Sequence, residues 1–513
     1  MDLPEIPRTQ PGGFAVFPND TQRPMLAILS DLHLNDGTTA PTLSPGAMGL
    51  VVERLGELAV AASWRADGVY RPIERIDLVL LGDVLDPLSS TLWARQPAVR
   101  PWRDPLGAEL AGLVARITGD ILAENCETLA ALRGLAEKGM RVPAMLRAAR
   151  PGPDAEGESV PVRIHYMVGE HDWFYHLAGA AYDALRQTLV EAMGLVRRPR
   201  QPFPYEIGES EELLLAMRRH KMTARHGDAY DPLAYSGDRD AASPTDAIQI
   251  ELVDRLAAEV ASALGDDLPD ATALGLREIH AVRPVALLAA WLDGLLERTC
   301  RLASVRKQIR TVWDRLVEEM LAGDGLGGGG RGGRGLVEGL RRVLQPGRHG
   351  PAGPTLAALR WLRDLRDASS DSYAAHAPAE QDFRSRRARH VVYGHSHAAE
   401  IVPLDASHAD GCVLDQVYFN SGTWRRVWRP AEFSPGQTDF VACDAMTYLV
   451  FYQGDERKGR PYETWSGWLG RSPSERSVRR LDIGRIHPAA GPPGGALLAP
   501  PHFPALAGQP AQR

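Results

Sequence analysis

Five apolar runs along the chain stop abruptly at polar residues: MLAILSDLHL from Met25, IDLVLLGDVLD from Ile76, RIHYMVGEHD from Arg163, KMTARHGD from Lys221 and RHVVYGHSH from Arg389. Bounded by turn or polar residues, the stronger of these runs predict buried strands. Helical patterns lie between them. Leu106, Leu110, Leu113, Ile117 and Ile121 share one face, and Asp104 and Pro105 before them predict a cap and a first-turn proline. Strand and helix therefore alternate, which predicts an α/β core.

Between about Asp231 and Asp382 the strand signal gives way to helical periodicity, which predicts an inserted helical domain. Its first helix starts at Ser243 and Pro244, carries Ile248, Leu252, Leu256 and Val260 on one stripe, and stops at Gly265. PVALLAAWLDGLL from Pro284 is broken by Asp293 and falls short of the roughly 20 apolar residues that span a bilayer, so a core helix is expected there. GDGLGGGGRGGRG from Gly323 lacks the lysine of a phosphate-cradling loop and reads as a flexible linker. FVACDAMTYLVFY from Phe440 predicts one or two closing strands. The expected organisation is an N-terminal extension (1–20), a first core segment (21–231), the helical insertion (232–384), a second core segment (385–486) and a disordered tail rich in proline, alanine and glycine (487–513).

Composition narrows the class. Among 513 residues, 44% are hydrophobic and 24% charged, the balance of a globular protein. A formal charge of −7 gives no general electrostatic footprint for nucleic acid or anionic membranes. Lysine occurs only at 138, 221, 307 and 458, so arginine supplies nearly all the positive charge, and RSRRAR from Arg384 reads as a solvated face. Cys126, Cys300, Cys412 and Cys443 are scattered without paired spacing, which suits small reduced core residues. The N-terminus lacks the basic start and apolar stretch of an export signal, and a cytoplasmic protein is expected.

The ends of the apolar runs carry the candidate chemistry: Asp31 and His33 in SDLHL, Asp83 and Asp86 in LGDVLD, Glu170, His171 and Asp172 in GEHD, His226 in RHGD, and His395 and His397 in YGHSH. Oxygen and nitrogen donors without thiolates favour Mn, Fe, Zn or Mg. Residues two apart on a strand point the same way, so where the turn at the strand end preserves this, the DxH and HxH pairs can each grip metal. In this order the set DxH, GDxxD, GxHD, H and GHxH resembles the calcineurin-like metallophosphoesterases, over the core and not the insertion. SDLHL and HGD are also similar to motifs of the UDP-2,3-diacylglucosamine pyrophosphatases, which cleave a lipid-linked diphosphate.

The resemblance implies a four-layered α/β/β/α sandwich, two mixed sheets flanked by helices, holding two divalent metal ions. It implies Asp31, His33 and His397 as ligands of one ion, His226 and His395 as ligands of the second, and Asp83 as a bridge. Two such ions share a hydroxide that attacks phosphorus at neutral pH. His171 is expected to act as general acid or phosphate stabiliser, with Asp172 orienting its imidazole. Glu170 stands where the family usually has a neutral amide, and either ligates the second ion or swings out. Asp86 is expected to fix its loop by hydrogen bonds. Asn420, Ser421 and Thr423 in YFNSGTWRR either touch substrate or merely form a turn. His165, His176, His220 and His390 match no motif.

These residues lead to the expectation of a hydrolase acting on a phosphomonoester, phosphodiester or diphosphate, in a phosphorylated small molecule or a lipid-linked substrate, with the insertion as a lid or specificity domain. Two alternatives are a scaffold or binding protein that keeps the fold without the chemistry, and a DNA-repair type nuclease, which the acidic balance disfavours.

Overall fold

The computed structural model describes residues 23–146, 150–152, 157–196, 200–326, 331–345, 353–366, 372–409, 412–434 and 437–471. In chain order its strands are β1 (Pro24–Leu29), β2 (Arg75–Leu81), β3 (Met140–Val142), β4 (Glu158–Val160), β5 (Val162–Met167), β6 (Met222–Ala224), β7 (His390–Tyr393), β8 (Glu400–Ala409), β9 (Cys412–Asn420), β10 (Arg426–Ser434), β11 (Gln437–Phe451) and β12 (Tyr462–Arg471). The expected extension 1–20 and tail 487–513 lie outside the described residues.

The apolar runs become parallel strands because both of their faces are covered. β1 pairs with β2 from Pro24↔Arg75 to Leu29↔Leu80, and β2 pairs with β5 from Ile76↔Val162 to Leu81↔Met167. The long β11 runs antiparallel to β1 at Leu449–Phe451 and to β10 further toward its start, while β12 lies along it from Ala442 to Phe451. FVACDAMTYLVFY is thus one strand with three partners. A second sheet has the order β6-β7-β9-β8, with β6, β7 and β9 parallel and β8 antiparallel. β3 and β4 form a separate small hairpin. The chain is a mixed α/β protein.

Strand alternation distributes the core. Leu26, Ile28, Val79, Leu81 and Met167 meet Met222, Ala224, Val392 and Phe419 between the two sheets. Met25, Ala27, Leu29, Leu78, Leu80 and Ile164 face the other way, onto the helices Pro45–Ala62, Ala108–Glu124, Cys126–Lys138 and Ala180–Met193. On the far side of the second sheet, Val391, Tyr393 and Tyr418 pack against Tyr373, Ala374 and Ala377.

The helix expected from Asp104 begins later, at Ala108. The Gly107 N–H closes a turn onto the Asp104 carbonyl at 3.1 Å, and Leu106 is left 65% exposed. Leu110, Leu113, Ile117 and Ile121 form the buried stripe as expected. Of the cysteines with described side chains, Cys300 and Cys443 are buried, but Cys126 is exposed at the start of its helix and is not a core residue. RSRRAR is exposed at Arg384, Arg386 and Arg387.

Among the described residues between β6 and β7 there is no strand. Ile248, Leu252, Leu256 and Val260 are buried as predicted. Their helix is not uniform: Pro244–Ile248 and Asp254–Leu264 are joined by a π-helical turn, Gln249–Val253. Trp291 and Trp313 centre a second apolar core that gathers the helices Leu288–Thr299, Ala303–Ala322 and Gly353–Arg366 and takes in Phe440 of β11. The helical segment has its own core yet packs with the strands as one compact unit. Part of the expected linker is helical too, since Arg331–Val343 forms a helix, while 327–330 lie outside the described residues. No helix among the described residues is long and apolar enough to cross a membrane.

Candidate metal centre

Parallel strands bring their carboxyl ends to the same edge of each sheet, and the two edges adjoin. Asp31 and His33 follow β1, Asp83 follows β2, Glu170 and His171 follow β5, His226 follows β6, and His395 and His397 follow β7. Asp31, His33, Asp83, His395 and His397 have φ of 54°, 45°, 52°, 64° and 55°. This left-handed backbone is unfavourable for residues with a Cβ and persists where its surroundings enforce it. Here ladder-like hydrogen bonds do so: Asp31 N–H to Gly82 O at 3.1 Å, His33 N–H to Asp83 O at 2.9 Å, and Gly394 N–H to His226 O at 2.7 Å. Glycine is required at 82 and 169, because a Cβ at either would run into the His226 ring.

The donor atoms converge in two overlapping sets. In the first, His397 Nε2 lies 3.2 Å from Asp31 Oδ1 and 3.1 Å from His33 Nε2. In the second, Glu170 sets one oxygen 2.7 Å from His226 Nε2 and the other 2.7 Å from His395 Nδ1. Asp83 Oδ2 joins them, 3.5 Å from His33 Nε2 and 3.4 Å from His226 Nε2. Ligands about 2.1 Å from one ion at right angles are about 3.0 Å apart, so such spacings suit shared coordination.

The inward atoms also pass a satisfaction test. Asp31 Oδ1, Asp83 Oδ2, Glu170 Oε2, His226 Nε2 and His395 Nδ1 are buried and make no well-aligned hydrogen bond, facing only one another across the centre. Orphaned polar atoms buried together are costly unless something binds them. The outward atoms are satisfied: His226 Nδ1 meets Leu81 O at 2.9 Å, His33 Nδ1 meets Asp86 at 3.2 Å, and His395 Nε2 meets Asp231 at 3.3 Å. With each outer nitrogen carrying its proton, the inner nitrogen presents a lone pair, the usual arrangement of a metal-binding histidine. The donor set fits divalent cations.

Electrostatics points the same way. Burial, with Asp83 and Glu170 close by, raises Asp31 to about 7, although His226 opposes the shift. Burial holds His33 down to about 4 and, with the Arg283 and Arg425 guanidinium groups nearby, holds His397 well below its usual range, so both stay in the neutral form that ligates. Against the cost of burial, Asp83 and Glu170 raise His226, and Glu170 and Asp231 raise His395 to about 10. Carboxylates that would attract a cation attract protons here.

Several expectations change. Glu170 does not swing out but lies between the two imidazoles of the second set. Asp172 does not orient His171. Its carboxylate accepts from Gly169 N–H at 2.6 Å, Val84 N–H at 2.9 Å and Tyr166 OH at 2.6 Å, pinning the loop. Asp86 takes the role instead, one oxygen 2.8 Å from His171 Nδ1 and the other at His33. Asn420, Ser421 and Thr423 are buried turn formers: Asn420 donates to Gly394 O at 2.8 Å, Ser421 Oγ is 2.6 Å from Ser30 Oγ, and Thr423 donates to Asp31 O at 2.7 Å. Their side chains hold the ligand loops. His165 pairs with Asp77 at 3.3 Å and His176 with Phe203 O at 2.9 Å, both structural.

A cavity of about 300 Å³ opens over the centre. Glu170, His171 and His395 line one side, while Leu233, Val285, Leu359 and Leu362 of the helical segment supply apolar wall and Arg283, Arg366 and Arg429 supply positive charge. Asp231, Arg283, Arg366 and Arg429 carry no motif that marks them in sequence. Comparison with protein-family models, curated proteins and solved structures yields no match.

Proposed function

We propose that the chain is a metal-dependent phosphoesterase built on a four-layered α/β/β/α metallophosphoesterase sandwich, with the helical segment as an insertion over the site. The observation that carries this reading is the convergence of Asp31, His33, Asp83, Glu170, His226, His395 and His397, with unpartnered donor atoms turned inward. Helices against one face of the first sheet, apolar packing between the sheets, and the Tyr373–Ala379 segment behind the second support the layering.

Asp31, His33 and His397 would hold one divalent ion, Glu170, His226 and His395 a second, and Asp83 both. Such a pair supplies an activated water and neutralises charge on a phosphoryl group. His171 holds a proton, raised to about 9 by Asp86 and Asp83 although its burial opposes this. With Nδ1 engaged by Asp86, Nε2 is the nitrogen that remains to donate a proton to a departing oxygen. Arg283 and Arg429 on the cavity wall favour an anionic substrate. The apolar wall excludes water from part of the cavity and suits a phosphorylated substrate with an organic leaving group.

Purified protein supplied with manganese should hydrolyse bis-p-nitrophenyl phosphate or p-nitrophenyl phosphate, and chelation should abolish turnover. No hydrolysis of either ester, by protein that has taken up metal, would favour a binding or scaffold role.

A further inference from the structure

The second set of donors depends on a side chain far away in sequence. His395 Nε2 lies 3.3 Å from Asp231 Oδ2, and that same oxygen also receives Arg366 and the Tyr373 hydroxyl, the latter at 3.2 Å. Arg366 ends the described helix Gly353–Arg366, and Tyr373 opens the next helical turn of the insertion. The Arg366 guanidinium lies 5.0 Å over the Tyr373 ring, and Tyr373 meets His395 edge-on at 5.7 Å. The other Asp231 oxygen accepts from the Leu233 N–H at 3.0 Å.

We propose that the helical segment is a working part of the second cation site: Arg366 and Tyr373 fix Asp231, which fixes His395, so the second ion binds tightly only where this part of the roof is docked. The inference rests on the two-cation reading above. Its physical basis is the position of the buried Asp231 carboxylate, which needs donors besides His395 to stay beside the ring. Freed of Arg366, it is drawn toward water, and the imidazole loses the contact that sets which nitrogen faces inward.

The first set has no such dependence on Arg366. His33 is held by Asp86, which also takes the Ser89 hydroxyl at 2.8 Å within the core. Loss of Arg366 should therefore separate the two ions. Arg366 is a positioning residue, and the readout is metal binding rather than turnover.

Full-length protein, stripped by chelation, is titrated with Mn²⁺ while free ion is followed by electron paramagnetic resonance. The parent should take up two equivalents. Arg366→Met should retain the first and bind the second about 10- to 100-fold more weakly, the usual effect of losing an outer partner of a ligand. Arg366→Lys and Tyr373→Phe, milder changes that guard against a folding defect in the methionine variant, should weaken the second equivalent less. Two equivalents in the parent with unchanged second affinity in Arg366→Met would overturn the inference alone, as would equal weakening of both equivalents across the series. Fewer than two equivalents in the parent would overturn the two-cation reading and this inference with it.

Discussion

Asp86 and Asp172 sit close in space, and both are buried carboxylates, yet they do different work. Asp86 bridges the outer nitrogens of His33 and His171, whereas Asp172 is saturated by two backbone amides and Tyr166. Asp86→Asn is expected to cost about 10- to 100-fold in metal affinity or turnover, because an amide cannot accept from both rings with the same geometry. Asp172→Asn is expected to act first on stability, lowering the thermal midpoint while leaving metal stoichiometry intact. Metal analysis and thermal unfolding of the two variants separate these roles, and equal loss of metal from both would contradict them. Glu170→Asn should keep the first ion and weaken the second, since Glu170 touches only His226 and His395 among the ligand histidines. Unchanged metal content and phosphodiester turnover would remove Glu170 from the ligand set. Most of the candidate ligands are legible in sequence because they close apolar runs, whereas His226, after the weaker stretch KMTAR, is marked by its place in the motif order. Asp86 and Asp231 were not legible as imidazole partners, since that contact forms only when separate loops meet. Adjacency in GEHD suggested Asp172, but neighbouring side chains leave the backbone in different directions.

At the level of elements, parallel strands explain why the donors meet, and the left-handed turns after them explain how. Gly82 has φ 80°, and a Cβ there would strike the His226 ring. Gly82→Ala should therefore displace His226 and lower metal affinity even where the protein still folds, and parent-like metal uptake would show that the turn has room to spare. In the helical segment, four-residue apolar spacing marked Ile248, Leu252, Leu256 and Val260 as buried, and the structure agrees. The π-helical turn at Gln249–Val253 leaves no such mark, because one inserted residue per turn still keeps Leu252 on the apolar face. It lets Gln249 reach both Asp254 and His280, at 2.7 and 2.9 Å. Trp313→Ala, which empties the centre of the segment's core and removes the hydrogen bond to Leu344 O, should cost about 3 to 5 kcal/mol. Chemical denaturation measures it.

Across the whole molecule, the α/β core could be read from alternating patterns, but docking of the helical segment could not, since Phe440 and Arg366 belong to surfaces whose partners lie far along the chain. The insertion, expected as a lid or specificity domain, shares polar contacts with the second donor set through Asp231, Arg366 and Tyr373. Stability should also depend on acid. Burial lowers His220 to about 4 and His390 to about 3 from an ordinary value near 6.5. The unfolded chain then takes up protons first as pH falls, so stability is full above about pH 6.5 and declines toward pH 4, by about 1.4 kcal/mol per pH unit for each ring. His390 packs against Phe419, Phe451 and Tyr462, so His390→Phe suits the site and should flatten the decline in urea unfolding between pH 7 and 5. An identical slope in parent and variant would exclude His390 as a source.

Anomalous diffraction from crystals grown with manganese shows whether separate segments of the chain gather around a pair of cations. Two peaks are expected, one among Asp31, His33, Asp83 and His397 and the other among Asp83, Glu170, His226 and His395. Peaks elsewhere, or density with these side chains dispersed, would contradict such a gathering.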